Sequence, residues 1–258
     1  MKNSTHLVAF DLDDTLAPSK SPVDPRMAGL LVELLRVVEV CVISGGQFGQ
    51  FQSQLVENLP VDDPAALARL HLMPTCGTQY YRYVGDAPSE ADWQQMYAEN
   101  LTEEEKSSAL TAVETAARQL GLWSEQTWGP ILEDRGSQIT FSALGQQAPV
   151  DAKKAWDPTG EKKNTLRAAV QQLLPRLEVR SGGSTSIDIT RVGIDKAYGM
   201  NRLAELTGIP LDQMLFVGDR LDPDGNDFPV KALGVPTVAV EGWEDTAEFV
   251  EQFLAERV

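Results

Sequence analysis

Leu7-Val8-Ala9-Phe10-Asp11-Leu12-Asp13-Asp14-Thr15-Leu16 decides how this chain is read. Its four leading apolar residues read as a buried strand. Three carboxylates follow within four positions, where that strand should end. Ligands of open α/β sheets bind beyond the carboxyl ends of the strands. So much negative charge in one place needs an offsetting cation. The segment therefore points to a metal site with chemistry attached. Asp11 and Asp13 are two apart, so in extended chain both point the same way. One can attack an electrophile while the other handles a proton. An acidic turn after a strand would read the same way from these residues alone.

Outward from this stretch, strand-like and helix-like signals alternate. Asp24–Val38, with Pro25 at its start, reads as an amphipathic helix. Val38–Ser44 is a second apolar strand, ended by Gly45-Gly46. Phe48–Leu59 is helical in pattern, and Leu70–Thr75 is a third strand. Such alternation predicts a parallel sheet. The middle of the chain differs. Ala87–Asp92 is a polar break, and Glu90–Leu120 is polar and helix-prone, with a capped start at Leu101–Glu105. Ile131–Ser142 and Leu177–Ile189 alternate as antiparallel strands do, and Gly160–Leu174 reads as a helix. The α/β signal returns with a helix at Ala197–Thr207, strands at Met214–Val217 and Val235–Val240, and a helix at Thr246–Arg257. The expected fold is α/β. A doubly wound parallel-sheet core is built from residues 1–84 and 190–258, and an α+β cap is inserted at 85–189. The active site is expected between the two.

Composition narrows the function. The 258 residues carry a net charge of −16 and are 42% hydrophobic. No basic patch suited to a nucleic-acid backbone stands out, and no apolar run is long enough to span a bilayer. Two cysteines give no disulfide framework, so a reducing cytoplasm is expected. No apolar signal-peptide core follows Met1-Lys2. Two histidines exclude a histidine-rich metal site.

Three further segments carry chemistry. Ser44-Gly45-Gly46 offers a hydroxyl and backbone amides that can hold a phosphate, or is simply a glycine turn. Lys196 follows Asp195 where the α/β pattern resumes, and a lysine near carboxylates can neutralise a transferring phosphoryl group. Gly218-Asp219-Arg220-Leu221-Asp222-Pro223-Asp224-Gly225-Asn226-Asp227 is a second acid cluster at a strand end, and its hard oxygen ligands suit Mg²⁺.

In order and placement, these four segments resemble the signature of the haloacid dehalogenase superfamily of phosphotransferases. The resemblance implies that Asp11 is the nucleophile, forming an aspartyl-phosphate, and that Asp13 is the general acid/base. Ser44 and Lys196 assist catalysis, and Gly45 and Gly46 contact substrate. Mg²⁺ would be held by Asp11, the backbone carbonyl of Asp13, and Asp219, with Asp227 nearby. The segment between Ser44 and Lys196 resembles the α/β cap of subfamily IIB. Over most of its length the chain looks closest to the eukaryotic-type phosphomannomutases, which share the long spacing of Gly218–Asp227. That likeness implies a phosphate-binding Arg135 in Glu133–Ser142, and Ser186 and Asp188 as sugar ligands in Ser184–Ile189.

Two positions depart from the pattern. Gln146 stands where the mutases carry a second arginine, and Lys153 stands in place of a third. Lysine keeps the charge but loses the bidentate fork, and glutamine loses both. Weaker cap cations favour water as the phosphoryl acceptor. The expected activity is therefore Mg²⁺-dependent phosphoryl transfer on a small phosphorylated sugar by a phosphatase. A phosphomannomutase-type mutase is the alternative, and a non-catalytic sugar-phosphate sensor is the remote one. The expected partner is the sugar phosphate, with no nucleic acid and no membrane. A homodimer through the cap is the expected form of any assembly.

Overall fold

The computed structural model describes residues 5–60, 63–86 and 92–257. Its strands are β1 (Leu7–Phe10), β2 (Glu39–Ile43), β3 (Leu70–Met73), β4 (Gln79–Tyr83), β5 (Trp93–Ala98), β6 (Leu132–Asp134), β7 (Ile139–Ser142), β8 (Leu177–Ser181), β9 (Ser186–Arg191), β10 (Met214–Gly218) and β11 (Thr237–Ala239). Its α-helices are α1 (Pro25–Leu35), α2 (Phe48–Gln54), α3 (Pro64–Leu67), α4 (Glu103–Gln119), α5 (Val150–Trp156), α6 (Glu161–Leu173), α7 (Lys196–Thr207), α8 (Phe228–Ala232) and α9 (Trp243–Ala255). The chain forms two compact units, Met1–Ala98 with Asp195–Val258, and Glu99–Ile194.

Among the described residues, the first unit holds a sheet in the order β11-β10-β1-β2-β3-β4-β5. The first five strands run parallel and the last two pair antiparallel. Parallel strands covered on both faces read as unbroken apolar runs, and β1 shows why. Val8 and Phe10 pack into one cluster, with Leu31, Leu35, Val250 and Phe253. Leu7 and Ala9 pack into another, with Ile43, Met200, Leu203 and Phe216. A polar residue anywhere in β1 would be buried, so the carboxylates begin only at its end.

The sequence boundaries at 85 and 189 need correcting. Trp93–Ala98, read as helix-prone, is instead the edge strand β5, paired to β4 across Tyr80↔Tyr97 and Tyr83↔Trp93. It presents Gln94, Gln95 and Met96 outward. A strand so polar, with one partner and one open edge, carries no apolar run to betray it. The sheet is accordingly mixed at this side, because the short link from β3 to β4 allows only an antiparallel return. At the far boundary, β9 continues to Arg191, paired with Leu177, so residues 190–194 stay with the second unit. Of the polar break read at 87–92, all but Asp92 lies outside the described residues.

The second unit is a four-stranded antiparallel sheet, β6-β7-β9-β8, among the described residues. One face buries Ile139, Phe141, Ile187 and Ile189 against Val113 and Ala117 of α4 and Leu166 and Val170 of α6. Helix α4 starts in a capping box, as its sequence implied. Thr102 Oγ1 accepts the Glu105 N–H at 3.2 Å, and the Thr102 N–H donates to Glu105 Oε2 at 2.7 Å. No helix among the described residues is long and apolar enough to cross a membrane.

Candidate active site

The acids of the opening stretch sit at the carboxyl end of β1, and Asp219 sits at the same end of its neighbour β10. Asp11 follows Phe10 in the strand direction, its N–H donating to the Val217 carbonyl at 3.0 Å. Asp227 returns to this point from the loop before α8. Its Oδ2 accepts the Arg220 N–H at 3.1 Å, and a Cβ on Gly218 would overlap that same oxygen. Only glycine at 218 leaves room for the carboxylate.

Lys196 enters from the first position of α7. Asp195 caps that helix, its Oδ1 accepting the Tyr198 N–H at 3.0 Å, which fixes where the lysine departs. Lys196 Nζ lies 2.6 Å from Asp11 Oδ1 and 2.6 Å from Asp227 Oδ1. The lysine is 1% exposed, Asp11 4% and Asp227 0%. Burial acts against the ammonium, but the two carboxylates outweigh it and raise its proton affinity. Burial pushes the Asp11 carboxyl well up, opposed by Lys196 and reinforced by Asp227 and Asp219. Asp219 is likewise raised by burial and by Asp227.

One ammonium thus faces three carboxylates. Oxygen atoms of Asp11, Asp219 and Asp227 lie within 4.8 Å of one another. The excess negative charge and the all-oxygen donor set fit a hard divalent cation. Thr15 Oγ1 donates to Asp219 Oδ1 at 3.4 Å.

Ser44 follows β2, the parallel neighbour of β1. Its Oγ accepts the Gly46 N–H at 3.2 Å, so that amide is engaged within the loop rather than facing outward. The loop is held by a left-handed turn at Thr75-Cys76-Gly77, with φ of +49°, +55° and +86°. The Thr75 N–H donates to the Gly46 carbonyl at 3.0 Å and the Cys76 N–H to the Ser44 carbonyl at 2.9 Å. Helix α7 abuts the same turn through Gly199. A Cβ there would overlap Ile43 Cδ1 and lie 2.7 Å from the Cys76 carbonyl oxygen. Lys196 is one helical turn away, so Gly199 sets how closely the lysine's helix approaches. Gly199→Ala is expected to lose about 1–3 kcal/mol of stability through overpacking, together with activity. Gly29→Ala, mid-helix with nothing within 4 Å of the new Cβ, is expected to gain about 0.5–1 kcal/mol. Paired thermal melts and turnover measurements check both.

Asp13 stands slightly apart. Its Oδ1 accepts from the Lys20 N–H at 2.8 Å and from Gln54 Nε2 at 3.2 Å, and its Oδ2 accepts from Gln50 Nε2 at 2.9 Å. Sequence reasoning missed both glutamines. Their only signal is an i,i+4 spacing on the helix after Gly45-Gly46, which any solvated helix could show.

In the second unit, Glu133, Thr140, Asp188 and Arg180 form one cross-strand row. Thr140 Oγ1 donates to Asp188 Oδ1 at 2.7 Å, and burial raises the Asp188 carboxyl against the opposing pull of Arg135. Ser186, two residues earlier on the same face, shares a 2.8 Å hydrogen bond with Ser142. Arg135 is paired within its own hairpin, Nη2 to Glu133 Oε2 at 2.6 Å and Nε to the same oxygen at 2.8 Å. An anion bound by Arg135 competes with that carboxylate. Lys153, on α5, donates to the Gln146 carbonyl at 3.3 Å, so the two positions that depart from the mutase pattern are neighbours.

Beside this geometry stand three comparisons with known proteins: a family model, two relatives and one solved structure. The family profile of haloacid dehalogenase-like hydrolases matches residues 149–228. Phosphomannomutase 1 of Mus musculus is 24% identical over 231 residues, covering 88% of this chain and 83% of the mouse protein. The phosphomannomutase of Schizosaccharomyces pombe is 27% identical over 233 residues, covering 87% and 84%. Among solved structures, the IMP-nucleotidase of Plasmodium falciparum has a TM-score of 0.73 at 16% identity, covering 100% of this chain and 71% of that one. At that identity the likeness is one of fold.

Proposed function

We propose that this chain, which resembles phosphomannomutases over most of its length and haloacid dehalogenase-like hydrolases over residues 149–228, is an enzyme that moves a phosphoryl group between the 1- and 6-hydroxyls of a hexose phosphate. The observation that carries this reading is the likeness to phosphomannomutases over nearly nine-tenths of the chain. It favours the mutase over the phosphatase that Gln146 and Lys153 had suggested. Lys153 beside Gln146 keeps one cation where the pattern has arginines.

Asp11 attacks phosphorus in line. Its carboxylate oxygen bonds to phosphorus as the bond to the sugar oxygen breaks, and Asp13 gives its proton to that oxygen. In the return step the free hydroxyl of a hexose monophosphate loses its proton to Asp13 and takes the phosphoryl group from Asp11, which gives a 1,6-bisphosphate whose other phosphate is the next to be transferred. Lys196, held against the attacking carboxylate, offsets the charge that gathers on the transferring group. Asp11, Asp219, Asp227 and the Asp13 backbone carbonyl would hold Mg²⁺, which supplies charge neutralisation between an anionic nucleophile and an anionic phosphate. In the second unit, Arg135 and Lys153 bind the idle phosphate, and Ser186 and Asp188 bind the sugar.

The test is a Mg²⁺-dependent assay on mannose and glucose phosphates, with and without a hexose 1,6-bisphosphate. Interconversion of the 1- and 6-phosphates with little free phosphate is expected. Phosphate release without interconversion restores the phosphatase reading, and ligand binding without any turnover restores the sensor.

A further inference from the structure

Gln50 and Gln54 lie one turn apart on α2, and both reach Asp13. Gln54 is 2% exposed, and its amide nitrogen also donates to the Ser21 carbonyl at 2.9 Å. It is a fixed anchor on Asp13 Oδ1. Gln50 is half-buried and touches the other oxygen at 2.9 Å. Its own Oε1 lies against Gly46 so closely that a Cβ there would overlap it. The Gln50 side chain therefore spans from the Ser44–Gly46 loop to Asp13.

We propose that Gln50, braced by Gln54, is the positioning residue of Asp13. The proposal rests on the reading of Asp13 as the acid that protonates the leaving oxygen. A carboxyl on a short side chain can turn about two bonds, and proton transfer needs its oxygen within hydrogen-bond reach of the acceptor. Two amides, one on each oxygen, remove that freedom. Their neutrality matters. A cation such as Lys196 on Asp11 favours the ionised carboxylate, whereas an amide presents a donor at one end and an acceptor at the other. Gln50 can hold Asp13 in orientation in either protonation state, so the proton remains transferable. In the first step Asp11 bonds to phosphorus, the bond to the leaving oxygen breaks, and the Asp13 proton passes to that oxygen. Gln50 acts through Asp13 rather than on phosphorus or the leaving oxygen.

A general acid matters in proportion to how poor the leaving group is, and that separates positioning from a structural role. The experiment compares Gln50→Leu with the unaltered chain, with Mg²⁺, on phenyl phosphate and 4-nitrophenyl phosphate. The burst of phenol or nitrophenol reports the first transfer alone. The expected result is a burst about 10- to 100-fold slower on phenyl phosphate and little changed on 4-nitrophenyl phosphate. In an Asp13→Ala background, Gln50→Leu should cost nothing further on phenyl phosphate. Equal slowing on both esters, or added loss without Asp13, would overturn the proposal. Gln50→Leu keeps the side chain's bulk on a half-buried helix position, and an unchanged melting temperature confirms a folded variant. An unaltered chain that releases aryl alcohols without interconverting hexose phosphates removes the mutase reading and leaves this comparison intact. No aryl alcohol released from either ester would overturn both.

Discussion

Asp11→Asn is expected to lower kcat by about 10⁴-fold or more, the scale on which removing a covalent nucleophile acts. The amide keeps the shape of the carboxyl but carries no pair of electrons that can displace an alkoxide from phosphorus. Lys196 keeps Asp227 at 2.6 Å, so the ammonium is not stranded. The variant also relieves the repulsion among Asp11, Asp219 and Asp227 that helps hold the Asp11 carboxyl high. Its melting temperature should therefore move little. Turnover and the trapping of acyl-phosphate after a brief exposure to labelled substrate are the measurements. The unaltered chain should carry hydroxylamine-sensitive label and the variant none. Activity retained within tenfold would falsify the covalent mechanism.

Lys196→Met should be the most destabilising single change in the site. It leaves two buried carboxylates, Asp11 and Asp227, without the ammonium that bonds both. Breaking a buried pair from one side costs about 3–5 kcal/mol. At about 2–4 °C per kcal/mol for a chain this size, the melting temperature falls by roughly 10 °C. Asp227→Asn added to Lys196→Met removes one uncompensated charge, so the double variant should melt above the single one. A single variant that melts within two or three degrees of the unaltered chain would show that the cluster is neutralised some other way. Transfer should also slow about 10²- to 10³-fold, as when one charge-stabilising group is removed.

The relatives favour the alternative to one inference drawn from the composition of the cap. Gln146 and Lys153 weaken the cationic pattern residue by residue, and that argument pointed to water as the acceptor. The cap sheet adds a second consideration, since its Arg135 is already held by Glu133. The strength of a cap cation depends on what holds it as much as on its type, and a residue-by-residue comparison sees only the type.

How far the sequence carries depends on the range of the interactions concerned. The apolar run Leu7–Phe10 and the acids after it were legible because a strand buried on both faces tolerates no polar residue and a ligand site lies where it ends. The capping box at Thr102–Glu105 was legible because it spans three residues. The edge strand Trp93–Ala98 was not, because a polar strand with one partner has no periodic signature apart from that partner. Arg135 was legible as a cation, but its engagement by Glu133, two residues earlier, was not, because an i,i+2 spacing puts two side chains on one side only where the chain is extended.

By itself, then, the sequence determined the α/β core, the strand-end acids and the kinds of groups available for phosphoryl transfer, since each is a local consequence of burial or spacing. Only the tertiary structure decided which of them meet. Lys196 reaches Asp11 and Asp227 because Asp195 caps its helix and Gly199 lets that helix close on Cys76. Gln50 and Gln54 grip Asp13 because α2 lies across the acidic loop. Those contacts join residues far apart in the chain, and they form only when the packing of the sheet and its helices brings them within hydrogen-bond reach.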